Sequence, residues 1–119
     1  MSNTLNKFVG KKLYYSHGEK NSESNEETFI TKIITESSYR TNNENLLLVK
    51  DVELSNIILD SETTTHIIIK SLTNVIVTPS SEYIDEYFTE IELERGSCVE
   101  FYNINGNWYI LSSDGLKLN

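Results

Sequence analysis

The chain has 119 residues, 38% hydrophobic and 10% aromatic, which is enough for one domain with a sizeable core. Its formal net charge of −8 repels phosphate backbones and anionic headgroups, so we expect neither nucleic acid nor a membrane as partner. The one cysteine, Cys98, excludes an internal disulfide. No apolar run is long enough for a signal peptide or a membrane-spanning helix. These features predict a protein made in a reducing cytoplasm.

The composition favours strands over helices. The chain contains no Ala, the best helix former, and is rich in Ile, Thr and Tyr, which suit strands. We therefore expect a single all-β domain over residues 1–119. Its first part, residues 1–45, is polar and loop-rich, and residues 46–119 form a regular β core.

Two strands are predicted in the polar first part. The segments are Lys11–Ser16 and Phe29–Thr35. An acidic loop over 17–28 separates them, and a second polar loop over 36–45 leads into the core, because neither segment carries a periodic apolar pattern.

From Leu46 onward, short apolar runs recur every eight to ten residues without a helical period, as in all-β domains. The segments LSNIIL (54–59) and LTNVIV (72–77) match in residue class, and each follows an apolar run that ends in Lys. A repeat of this length fits two strands of a meander or one coil of a solenoid. We expect a β-sandwich or jelly-roll-like meander, with a short β-solenoid as the alternative.

The chain is predicted to close with a β-hairpin whose turn is Asn105-Gly106, the preferred pair for a type I′ turn. Pairing outward from this turn predicts the following cross-strand neighbours: Asn103 with Trp108, Tyr102 with Tyr109, Phe101 with Ile110, Glu100 with Leu111, and Val99 with Ser112.

The two faces of this hairpin have different expected roles. One face carries the apolar set Val99, Phe101, Trp108 and Ile110, which we assign to the core. The opposite face carries Tyr102, Tyr109 and Leu111 beside Glu100, a mixture that is enriched where subunits meet. We predict that Tyr102, Tyr109 and Leu111 lie at a subunit interface.

Residues that could carry chemistry are few. His66 begins a strand run and is expected to pack, His17 stands alone, and Cys98 has no activating base by motif. The sequence has no Walker loop, GxGxxG, CxxC, HExxH or GxSxG motif. We expect no enzymatic activity and no cofactor.

Three carboxylates alternate with apolar residues, at Glu90, Glu92 and Glu94, and share one strand face. Such a row could hold a hard cation, but a solvated strand face is the more common arrangement, and we predict no metal. The tyrosines and Trp108 could form a platform for stacking sugars. The tyrosines that we considered are Tyr14, Tyr15, Tyr83, Tyr87, Tyr102 and Tyr109.

Five short motifs occur in order between residues 66 and 112. They read NVIVTP at 74–79, ID at 84–85, IEL at 91–93, VEF at 99–101 and NGNWYI at 105–110, with Gly96 between the third and fourth. This ordered set resembles a pattern in trimeric fibre, spike and capsid-surface proteins of bacteriophages and large DNA viruses. Two departures are Ser80-Ser81 in place of a Gly pair and Glu86 in place of the Gly after ID, so the intervening turn is expected to differ.

The resemblance implies a non-enzymatic structural protein of a virus particle, namely a self-associating, trimeric capsid decoration, spike or fibre component. Its expected partners are copies of itself and other capsid or fibre proteins, and its expected location is the virion, after synthesis in the host cytoplasm. The alternative function is a lectin-like module that binds carbohydrate or a receptor, which adds a host-surface glycan to the partners.

Overall fold

The computed structural model describes residues 28–118 of the chain, which form one eight-stranded mixed sheet. Strands make up 61% of the described part and it contains no helix, which confirms the predicted all-β class. In chain order the strands are β1 (Thr31–Ile34), β2 (Ser38–Arg40), β3 (Leu46–Val49), β4 (Leu54–Leu59), β5 (His66–Ser71), β6 (Asn74–Pro79), β7 (Ile91–Ile104) and β8 (Asn107–Leu118).

The first six strands form three stacked coils. Strands β1, β3 and β5 pair in parallel in that order, as do β2, β4 and β6. The long strand β7 then runs antiparallel to both β5 and β6, so it covers the edges of the last coil, and β8 pairs with β7. The coils have the parallel pairing of the short β-solenoid alternative, and β7 and β8 close the sheet as an antiparallel meander. The sheet is nearly closed around its core.

The core consists of aliphatic ladders that run across successive coils. Leu47 of β3 pairs with Ile69 of β5, which pairs with Val99 of β7, and all three are fully buried. Burial of each such side chain contributes roughly 1.5–3 kcal/mol. A matching ladder on the opposite wall passes from β4 through β6 to the start of β7. Its members are Ile57, Val77 and Ile91.

The two segments of the internal repeat pair with each other, but their register is shifted by two residues from the one that their sequence match indicates. Leu54 lies opposite Asn74, not opposite the similar Leu72, which is exposed in the turn before β6. Because side chains alternate faces along a strand, a shift of two residues keeps the same residues inside. Ile57 therefore still faces the core, with Val77 as its neighbour.

The predictions for the first part of the chain differ in outcome. Strand β1 lies inside the predicted segment Phe29–Thr35, but the predicted loop over 36–45 contains β2. This short strand was missed because Tyr39 is its single apolar residue; Tyr39 pairs with Ile57 and packs against the core. The predicted strand Lys11–Ser16, and the predicted loop up to residue 27, lie outside the described residues.

The segments IEL at 91–93 and VEF at 99–101 both belong to the single strand β7. The ladder with β8 is irregular between Leu93 and Cys98, where Gly96 has a φ of +93°. This bulge lets β7 cross from β6 to β5 without ending. The Ser71 hydroxyl donates to the carbonyl oxygen of Glu94 at 2.9 Å and holds the crossing against β5.

The closing hairpin is confirmed with one correction. Asn105 and Gly106 have φ values of +54° and +87°, as a type I′ turn requires. The predicted pairs Asn103–Trp108, Tyr102–Tyr109 and Phe101–Ile110 are present. Beyond them a bulge inserts Leu111, so that Glu100 pairs with Ser112 and not with Leu111, and Val99 pairs with Ser113 and not with Ser112.

Asp85 and Glu86 both have positive φ, at 56° and 59°. Together with a Tyr87 N–H that donates to the Ile84 carbonyl oxygen at 3.1 Å, they form a primed turn without glycine. The turn is tied to the hairpin because the Asp85 N–H donates to the Trp108 carbonyl oxygen at 2.9 Å.

We expect Gly115→Ala to lower the free energy of unfolding by about 2–3 kcal/mol, and Gly106→Ala by only about 1 kcal/mol. Both glycines have positive φ, but a Cβ at Gly115 would lie 2.9 Å from Ser97 Oγ, whereas a Cβ at Gly106 would meet nothing within 4 Å. Urea unfolding of both variants measures the difference. Equal losses would show that the β7 bulge at Ser97 moves away freely, contrary to our expectation.

Candidate functional site

The outer face of the closing hairpin carries the predicted interface residues. Tyr102 is 37% exposed and Leu111 49% exposed, and Ile104, two residues after Tyr102 on the same face, is 46% exposed. Tyr109 is half-buried and lies opposite Tyr102. We call Tyr102, Ile104, Tyr109 and Leu111 the hairpin face. Tyr102 and Tyr109 thus lie opposite each other on one face, and Leu111 is exposed at the bulge two residues after Tyr109. The contact of these residues with a second subunit stays a prediction.

Tyr109 connects the hairpin face to the primed turn. Its hydroxyl donates to Glu86 Oε2 at 2.8 Å, and this hydrogen bond raises the pKa of the Tyr109 phenol above its usual value. Tyr87, which follows Glu86 in the chain, is 74% exposed and packs edge-on against Phe88. The turn therefore extends the aromatic surface beside the hairpin face. Of the considered tyrosines, Tyr14 and Tyr15 lie outside the described residues.

A histidine–carboxylate pair lies beside the hairpin face. His66 Nε2 contacts the carboxylate of Glu100, whose side chain is fully buried, and the His66 ring lies 5.7 Å from the Tyr102 ring. The Ser112 hydroxyl also donates to Glu100, at 3.3 Å. A carboxylate buried in this way needs such partners, because an unpaired charge in a low-dielectric interior is strongly unfavourable. His66 packs as predicted, and its contact with Glu100 is an addition from the structure.

Cys98 is half-buried on β7, where it pairs with Lys70 of β5. Burial is the largest cause that raises the pKa of its thiol, so the neutral form is favoured. A protonated thiol is a poor nucleophile, which agrees with the interpretation of Cys98 as a small packing residue.

The predicted carboxylate row lies at the start of β7. Glu92 is half-buried opposite Ile76, and Glu94 is exposed. They line an open groove of about 310 Å³, and Leu54 and Asn74 line its other side. Glu90 precedes the strand. Within residues 28–118, no group of three or more His, Cys, Asp or Glu side chains is arranged to hold a metal ion.

A second cleft, of about 420 Å³, lies where the β3–β4 and β5–β6 turns meet the β7 bulge. Two cations line it, Lys50 and Arg95, together with the carboxylate of Asp51. Sequence reasoning missed this cleft because its cations are distant along the chain. The signal that could have indicated it is the Lys at the end of each repeated apolar run, since Lys50 and Lys70 both lie at this corner.

Asn103 is a further residue whose role the sequence did not show. Its side-chain amide donates to the carbonyl oxygens of Ser61 and Thr64 at 2.7 and 3.0 Å, and its side-chain oxygen accepts from the Gly106 N–H at 2.9 Å. It therefore fixes the hairpin turn to the loop between β4 and β5, and so positions the hairpin face.

No protein-family model and no curated protein matches the chain. The described part of the chain has no helix long and apolar enough to cross a membrane.

Proposed function

We propose that this protein is a non-enzymatic structural module of a virus particle, a capsid decoration, spike or fibre component that self-associates as a homotrimer. The observation that carries the proposal is the hairpin face, on which Tyr102, Ile104 and Leu111 are each more than a third exposed. The resemblance of residues 66–112 to trimeric virus-surface proteins supports the same function and supplies the subunit number. The protein would be made in the host cytoplasm and assembled into virions with other capsid or fibre proteins.

The composition of the hairpin face suits contact between subunits. Exposed aliphatic groups from Ile104 and Leu111 lie beside two tyrosines, and contiguous apolar patches of this kind mark association sites. Tyrosine supplies a large apolar surface and a hydroxyl that still finds a partner, as Tyr109 does with Glu86.

The strand arrangement offers edges as well as a face. Among the described strands, β8 pairs only with β7. Asp85 covers its second edge at Trp108 and Ile110, and the part of that edge beyond Ile110 has no partner strand among the described residues, so it can pair with another chain. The hairpin face and the β8 edge adjoin, because Tyr109 and Leu111 both belong to β8. A neighbouring subunit in the trimer can therefore contact the hairpin face and this part of the β8 edge together.

The native protein should have about three times the monomer mass of 13.7 kDa in solution at neutral pH. Light scattering coupled to gel filtration measures this mass directly. A mass near 13.7 kDa at micromolar concentration would remove the proposal.

Replacing Leu111 by Lys should dissociate the trimer into folded monomers, because it places a charge in the centre of the contact. Leu54→Lys is the matched control, since Leu54 is 47% exposed on β4, away from the hairpin face, and this variant should remain trimeric. Far-UV circular dichroism checks that both variants keep their strands. A trimeric Leu111→Lys variant would show that the contact lies elsewhere.

A further inference from the structure

We propose that the cleft between Lys50 and Arg95 binds an acidic monosaccharide, with the sugar carboxylate held between the two cations. This is a ligand site in addition to the proposed structural role. Its elements are two positive charges, one carboxylate and an apolar wall in a space of about 420 Å³, which lies in the size range of small-ligand sites.

The charges around the cleft are unusual for this protein. The chain carries 18 acidic and 10 basic residues, yet Lys50 and Arg95 line the same cleft. The Lys70 ammonium lies beside them, since it donates to the Gly96 carbonyl oxygen at 3.1 Å. Among the residues that line the cleft, two cations are present with one carboxylate, and such a local surplus of positive charge attracts anions more than the acidic average of this protein does.

Arg95 has the capacity to bind an anion. Elsewhere, the Arg40 guanidinium pairs with Asp60 at 2.8 Å and the Lys32 ammonium lies over the Tyr39 ring. Within residues 28–118, the side chain of Arg95 makes no hydrogen bond or ion pair. A guanidinium offers a planar fork of donors that fits a carboxylate, so this fork is available to a ligand.

The backbone around the cleft is held in place by hydrogen bonds between coils. The Thr73 hydroxyl donates to the Val52 carbonyl oxygen at 2.6 Å, and the Leu72 N–H donates to the Val49 carbonyl oxygen at 2.8 Å. On the other side, the Ser71 hydroxyl holds the β7 bulge that carries Arg95. A site whose walls are already fixed loses little conformational entropy on binding.

The remaining lining residues favour a sugar over a simple inorganic anion. The carboxylate of Asp51, 4.0 Å from the Lys50 ammonium, can accept hydrogen bonds from hydroxyl groups but repels a bare anion. Val52 and Leu72 supply apolar surface for the C–H groups of a ring. A ligand that satisfies all of these groups carries one carboxylate together with several hydroxyls, as a uronic or sialic acid does.

The cleft is remote from the hairpin face. Tyr102, the first hairpin-face residue on β7, comes six positions after Gly96, which is roughly 20 Å along an extended strand. A failure of trimer formation would therefore not remove the ligand site, and the reverse also holds.

Titration of the native protein with sodium glucuronate, followed by amide chemical shifts, tests the proposal. We expect the amide chemical shifts of Lys50, Asp51 and Arg95 to change and to saturate with glucuronate. Glucose and acetate at equal concentration should not saturate them. Equal saturation by acetate would mean a plain anion site, and equal saturation by glucose would mean that the cations are not used. Either result, or the absence of shifts with glucuronate, overturns the proposal.

The variant Arg95→Gln should weaken glucuronate binding about tenfold or more, because it removes a charge-assisted contact. Arg40→Gln is the control, since this exposed cation lies on β2 and already pairs with Asp60, and it should leave the binding unchanged. Chemical shifts remote from the cleft confirm that both variants are folded. Unchanged affinity in a folded Arg95→Gln protein would contradict the assignment of Arg95.

Discussion

Replacing Trp108 by Ala should lower the free energy of unfolding by about 3–5 kcal/mol, as large aromatic truncations in cores do. Trp108 is fully buried and belongs to the same core cluster as Phe101 and Ile84. Its backbone also accepts the hydrogen bond from Asp85 that ties the primed turn to the hairpin. The substitution keeps this backbone acceptor, so the loss comes from packing in the core, and urea unfolding should show it as a decrease in the transition midpoint.

Trp108→Phe separates packing from hydrogen bonding at this position. The indole Nε1 is buried and has no hydrogen-bond partner among the described residues, so removing its N–H leaves no acceptor unsatisfied. We expect this variant to lose about 1–2 kcal/mol, which reflects volume alone. A loss as large as that of Trp108→Ala would mean that the N–H makes an essential contact.

His66→Ala should destabilise the protein by about 3–5 kcal/mol, because it removes the ion-pair partner of a carboxylate that stays buried and leaves it with weaker hydrogen bonds such as that from Ser112. The Glu100 side chain is fully buried, whereas that of His66 is 17% exposed. Thermal unfolding near neutral pH measures the effect. The exposed pair of Arg40 and Asp60 provides the comparison, since Arg40→Ala should lower the melting temperature much less.

A double-mutant cycle identifies the cause. Glu100→Gln keeps the shape of the side chain and removes its charge, so the double variant of His66→Ala with Glu100→Gln should lose less stability than the sum of the two single losses. Additive losses would show that His66 contributes through packing against Tyr102 and not through the carboxylate.

Local patterns explain which parts of this fold were predictable. The Asn105-Gly106 turn fixes which residues are opposite one another, so the burial of Phe101 and Trp108 could be predicted from alternation alone. The bulge at Leu111 could not, because alternation of side chains gives no sign of where an extra residue is inserted. The register error begins at this bulge and nowhere nearer the turn.

The parallel pairing of the coils required information that a single strand does not contain. LSNIIL and its repeat have the same inside and outside residues in a meander and in a solenoid. Long-range contacts decide between them, such as the hydrogen bond from the Asn56 side-chain amide to the Ile76 carbonyl oxygen at 2.9 Å. The position of Arg95 in the cleft was missed for the same reason, since the crossing of β7 brings Arg95 to the turn that carries Lys50.

Because β7 covers the last coil, the number of coils before it can change without altering the end of the molecule. Each coil pairs only with the coils next to it, as in other solenoids, and among the strands of the coils β7 pairs only with β5 and β6. A whole additional coil placed among β1 to β4 would therefore lengthen the molecule by one strand spacing, about 4.8 Å, and leave the closing hairpin unchanged. Related proteins of this design could differ in reach in steps of that size while presenting the same surface at the capped end.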